Sequence, residues 1–236
     1  MRINDGMLRR TANFGVFLMM GISMSAKAGL FGLVGTSWKE EVLLHDGSKI
    51  VVARSVERGG RHEIGQKPPI KEQSLSFIVP VINRIITWED RRSEDLGSAN
   101  FLPMLLDIFK DVPYLVAYPM GCLSYNKWGR PNPPYVIFKY DKKEWKRIPL
   151  QELPTELKMP NLIFSSPDTE AEKLKVSLIT SEMIRKLIGS YKQPEHRSIL
   201  RVAVKGGEGL TSCPDYNSQQ YRSSKAPLPM KPATDK

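Results

Sequence analysis

Only two cysteines and three histidines occur in the 236 residues. The histidines stand apart, and no His-x-x-x-His, Cys-x-x-Cys or Asp-x-Asp-x-Asp spacing is present, so neither zinc nor calcium has a ligand set. No Gly-x-Ser-x-Gly elbow or plausible Ser-x-x-Lys pair occurs, which removes the commonest signatures of a serine hydrolase. No block of five or six consecutive basic residues occurs, and no nucleic-acid motif accompanies the positive charge. Asn-x-Ser/Thr is missing as well, which leans toward a bacterial periplasm rather than a glycosylating pathway. No internal repeat is found. No cofactor is expected, and no residue is assigned to catalysis, cofactor binding or metal binding.

What is present begins at the N-terminus. Arg2, Arg9 and Arg10 precede the apolar run Phe14 to Ile22, and Ala26-Lys27-Ala28 follows as a small-x-small site, so residues 1–28 read as a secretory signal peptide cleaved after Ala28. The run is well short of the roughly 20 residues that cross a bilayer as a helix. No later window is apolar and long enough to span, so no transmembrane segment is expected after cleavage. Removing residues 1–28 takes away four basic side chains and one acidic one. The remaining 208 residues carry 31 basic and 24 acidic side chains, a net charge of +7. Such a chain is drawn to anionic lipid, acidic glycan and nucleic acid alike, and charge alone selects none of them.

Periodicity places strands. EVLLHDGSKIVVARSV reads as a hairpin around His45-Asp46-Gly47-Ser48. After a loop from Glu57 to Pro69, QSLSFIVP sets Leu75, Phe77 and Val79 on one face, and RIITWED follows as a second short strand. Phe101 to Phe109 is apolar except at Pro103 and Asp107. It reads as a strand buried on both faces, turning at Lys110-Asp111 into VPYLVAYP. YVIFKYDKKEWKRIPL repeats the hairpin pattern, with Val136, Phe138 and Tyr140 opposite Tyr135 and Ile137. Two helices follow an extended crossing: Thr169 to Val176 behind Ser166-Pro167-Asp168, and a second capped by Thr180 that stops at Gly189. RSILRVAV reads as a last strand with Ile199 or Leu200 inward. The expectation is a mainly β fold, an antiparallel sheet or sandwich with two short late helices, the alternative being α+β. It forms one domain over 29–205, with a tail over 206–236 whose final dozen residues are disordered.

Cys122 and Cys213 in an exported chain read as a structural disulfide tying that tail to the body. The rival reading makes Cys122 a nucleophile with His45, His62 or His196 as its base. His62, between Arg61 and Glu63, reads as a solvated loop residue. The pairs Glu89-Asp90 and Glu94-Asp95 read as surface charge, since neighbours on a strand point to opposite faces. Gly121 to Tyr140, GCLSYNKWGRPNPPYVIFKY, is read as a loop stiffened at one end by Cys122 and at the other by Pro131 to Pro134. Tyr125, Asn126, Trp128 and Arg130 on it form a candidate recognition surface, the types that dominate binding energy. The competing reading folds Trp128 and Tyr125 back as a satellite core.

That stretch, with WKRIPLQELP behind it, resembles a family of exported proteobacterial proteins of no known activity. The resemblance covers most of the chain after residue 28 and implies a bacterial envelope location. It carries no activity, cofactor or site residue with it. The expected function is a non-catalytic binding or structural component of the envelope, in the periplasm or secreted, whose partner is an envelope protein or acidic glycan. The alternative is a hydrolase of an envelope polymer or peptide.

Overall fold

The computed structural model describes residues 35–205 and 208–218; the expected signal peptide and the final dozen residues of the tail, expected to be disordered, lie outside the described residues. Among the described residues eight strands form two antiparallel four-stranded sheets. The first is β1 (Thr36–Leu43), β2 (Lys49–Arg58), β3 (Ile70–Val79) and β4 (Arg84–Arg91), in that order. The second is β5 (Phe101–Phe109), β6 (Val112–Pro119), β7 (Val136–Asp141) and β8 (Glu144–Ile148). Each sheet is a meander, so all eight strands are joined through neighbours. The fold is mainly β.

Turn chemistry sets the registers. Gly47 has φ +86°, and the Asp46 carboxylate accepts from the Ser48 N–H (2.9 Å) and hydroxyl (2.6 Å), which pairs Leu43 with Lys49. Lys110 and Asp111, and again Lys142 and Lys143, all have positive φ, as two-residue hairpin turns of the mirror-image type require.

The sheets pack face to face, and alternation decides what is buried. Val52, Phe77 and Ile86 of the first sheet meet Leu115, Val136 and Phe138 of the second. The other face of the second sheet carries Val116, Tyr118, Ile137 and Tyr135, which are covered by Leu153, Leu157, Phe164 and the C-terminal segment. Each large side chain sealed this way contributes roughly 2 kcal/mol. A bulge between Pro103 and Leu105 turns both Met104 and Leu105 to this outer layer, which is why β5 shows no alternation.

Among the described residues there are four α-helices: α1 (Gly121–Lys127), α2 (Pro167–Leu174), α3 (Ser181–Gly189) and α4 (Pro194–Arg197). Thr180 caps α3 by accepting from the Met183 N–H (3.4 Å). Ser166 precedes α2 with φ +48° and makes no side-chain cap.

Three expectations are corrected. RSILRVAV is not a strand: its first residues lie in or beside α4, and the rest runs extended outside both sheets. Ladder partners are replaced by single groups, since the Ile199 N–H donates to the Lys158 carbonyl (2.7 Å) and the Leu200 N–H to the Tyr135 hydroxyl (3.3 Å). Arg201 donates to the carbonyls of Leu153 (2.9 Å) and Pro154 (2.6 Å). The first part of the supposed loop is a helix, α1, which carries Tyr125 and Asn126; Trp128 and Arg130 follow it on an irregular segment that runs to Tyr135. Asp90 is not surface charge; it is buried and accepts from the Asn100 and Phe101 N–H groups (both 2.8 Å), with Asn100 Nδ2 (2.9 Å) and Gln73 Nε2 (3.1 Å) completing the shell. Glu89, its neighbour on the opposite face, is exposed.

Candidate functional site

A cleft of about 750 Å³ opens where the β1–β2 turn meets the 156–161 crossing, α3 and α4. Its walls are apolar at Leu44, Met159, Pro160, Ile184 and Ile188. The stripe of α3 that lines it follows from helical spacing, Ile184 and Ile188 being four residues apart on one face. Lys158, Arg185 and Arg197 stand exposed on the lining, with Glu156 and Glu182 among them. Lys49 is already paired with Glu41 (2.9 Å), which also accepts from the Ser181 hydroxyl (2.9 Å). Those bonds, led by Lys49, hold the Glu41 carboxyl below its usual range.

The polar feature of the cleft is a histidine–aspartate couple. His45 Nδ1 lies 2.6 Å from Asp107 Oδ1, and the His45 backbone N–H donates to Oδ2 at 2.9 Å. Asp107 also accepts from the Ile108 N–H (2.7 Å). A carboxylate can only accept, so it fixes the proton on Nδ1 and leaves Nε2 as the remaining polar atom of the ring. Burial pushes the Asp107 carboxyl up, and the bonds from His45 pull the other way. This is half of an activated-nucleophile arrangement. The other half is missing among the described residues: no hydroxyl or thiol is hydrogen-bonded to Nε2, and Ser181 is engaged with Glu41.

The residues singled out from sequence come together elsewhere. Cys122 and Cys213 are bonded, with an S–S distance of 2.04 Å, so no thiol is available for a nucleophile. Tyr125 is 3 % exposed and Asn126 6 %. Trp128 is half-buried, its ring 4.7 Å from Phe101 and its Nε1 3.2 Å from Asn100 Oδ1. Arg130 lies over Tyr125 and donates to the carbonyls of Pro214 (2.9 Å) and Cys213 (2.9 Å), while Asn126 Nδ2 donates to Pro214 (2.9 Å). The supposed recognition surface therefore grips the chain's own C-terminal segment. Tyr125 and Asn126 are buried and the polar atoms of Trp128 and Arg130 are engaged within the chain, an arrangement that favours the packing reading.

Of the three histidines, only His45 lines the cleft. His62 is exposed, its Nδ1 near the Gly60 carbonyl (3.1 Å). The His196 ring sits 4.8 Å from Tyr118 and 5.2 Å from Phe164, and its Nε2 is buried without a partner. Sequence reading missed the His45–Asp107 couple because 62 residues separate its members. The available signal was Asp107 itself, a lone charge in a strand buried on both faces, which needs a partner. Among the described residues no helix is long and apolar enough to cross a membrane, and no cluster fit for a metal ion occurs. Comparison with protein-family models, curated proteins and solved structures finds no match.

Proposed function

We propose that the protein is an exported, non-catalytic binding component of the bacterial envelope, and that its ligand is a small amphipathic molecule with an acidic end, held in the cleft beside His45. The carrying observation is the cleft itself: its volume suits a small organic ligand, its walls are aliphatic, and Lys158, Arg185 and Arg197 on its lining are exposed cations. The signal-like N-terminus and the disulfide support an oxidising compartment outside the cytoplasm.

A long-chain fatty acid and the matching alcohol serve as probes in thermal melting. The acid should raise the midpoint by about 5–10 °C at about a hundred times its Kd. The alcohol should act more weakly. Met159→Asp, a change at an exposed wall residue, should remove the shift without altering the ligand-free midpoint. No shift with either probe at saturating concentration would defeat the reading. The hydrolase alternative has one observation in its favour, the His45–Asp107 couple. If a p-nitrophenyl ester is turned over and His45→Ala abolishes turnover, the couple acts as a general base on water and the binding reading gives way.

A further inference from the structure

Four hairpin turns share one end of the molecule. In the first sheet, β1–β2 turns at 44–48 and β3–β4 at 80–83, and the pairing of Val52 with Phe77 sets those two turns side by side. In the second sheet, Tyr114 pairs with Lys139, so the Lys110-Asp111 and Lys142-Lys143 turns also lie together. Two bonds bring the pairs to the same end: His45 reaches Asp107, two residues before the β5 strand ends, and Trp145 Nε1 donates to the Thr87 carbonyl (2.9 Å).

The β3–β4 hairpin at that end is aliphatic on its outside. Val81 is 71 % exposed and Ile82 53 %, and Ile78 and Ile85, paired across the strands, are exposed behind them. Arg84, Lys110, Lys142 and Lys143 are exposed at the same end and make no ion pair among the described residues, against Asp46 and Asp111. Asp141 and Glu144 are engaged by Lys146 (3.0 and 3.2 Å).

We propose that this end docks on an anionic phospholipid surface, with Val81 and Ile82 inserted at the headgroup boundary and the four cations among the headgroups. A protein partner is the poorer fit. Protein hot spots are dominated by aromatic anchors in shape-matched pockets, whereas the exposed apolar side chains of this tip are all aliphatic. An interface needs only apolar area and opposite charge, and the tip supplies both.

Vesicle co-sedimentation of the full chain tests the proposal with phosphatidylcholine vesicles and with vesicles that also contain phosphatidylglycerol. Residues 1–34 are common to every variant, so differences between variants report the tip. The parent should prefer the phosphatidylglycerol vesicles, and Val81→Asp with Ile82→Asp should lower partitioning at least tenfold. Val81→Ser with Ile82→Ser should weaken it in the same direction without adding charge, at an unchanged melting midpoint. Lys142→Gln with Lys143→Gln should lower binding to the anionic vesicles more than tenfold, since each basic side chain near such a surface is worth about five-fold. Equal partitioning of parent and tip variants overturns the proposal. So does self-association of the parent that the tip changes abolish while vesicles are ignored, which would mark the tip as a protein interface.

Discussion

Trp128 shows how a residue type that signals recognition can be diverted to packing. Its indole lies against Phe101, under the Arg147 guanidinium at 5.5 Å, and its N–H reaches Asn100, which in turn donates to the buried Asp90. Three kinds of contact converge on one side chain, so Trp128→Ala removes aromatic packing and leaves Asn100 Oδ1 without its donor. The expected loss is about 3 kcal/mol, the low end for a large aromatic because the ring is only half-buried. Urea unfolding checks it: the midpoint should fall with an unchanged m-value. A loss below about 1 kcal/mol would return Trp128 to the surface role its composition suggested.

At the level of elements, what could be read from sequence was local. The three two-residue and Asp-Gly turns are carried by neighbouring residues, as is the alternation of Leu75, Phe77 and Val79 and of Val136, Phe138 and Tyr140, so those strands and turns were legible. The last segment was not, because RSILRVAV alternates like a strand yet finds its partners in Tyr135, Lys158 and the carbonyls that Arg201 gathers, none of which sequence places nearby. The same limit hid the cleft, whose His45, Asp107, Met159 and Ile188 come from four distant elements. The Cys122–Cys213 bond was legible from the number of cysteines and the expected compartment alone. It joins α1 to the segment just after a 3₁₀ turn at Gly209–Ser212, across 91 residues, and closing a loop of that length removes unfolded-chain entropy worth roughly 4.6 kcal/mol in the chain-entropy model. Cys122→Ser with Cys213→Ser should therefore lower the thermal midpoint by about 10 °C or more, read by calorimetry against the oxidised parent. An unchanged midpoint would show that Arg130 and Asn126 alone hold the segment.

For the whole molecule, pH acts on stability through His196. Burial among Tyr118, Phe164 and Tyr191 lowers its folded-state pKa beneath the ordinary 6.5, against a weaker upward pull from Glu195. The unfolded chain then takes up the proton first, so the stabilising term is complete above about pH 6.5 and is lost as pH falls below it, by up to about 1.4 kcal/mol per pH unit. His196→Phe keeps the ring in its cage and cannot titrate. The difference in melting midpoint between it and the parent should widen in favour of Phe from pH 7 to pH 5; a constant difference would mean that His196 is protonated in the folded state. The two layers on the second sheet also differ in a way that matters during synthesis. Among the described residues, the core between the sheets draws on none later than Leu162, whereas the opposite face is roofed by Leu210 and Cys213. A chain made from its N-terminus can thus close the sandwich while Tyr118 and Ile137 still lie bare, and sulfur oxidation becomes possible only once Cys213 has emerged, well after the last strand, so that the covalent bond follows the closure of the two sheets.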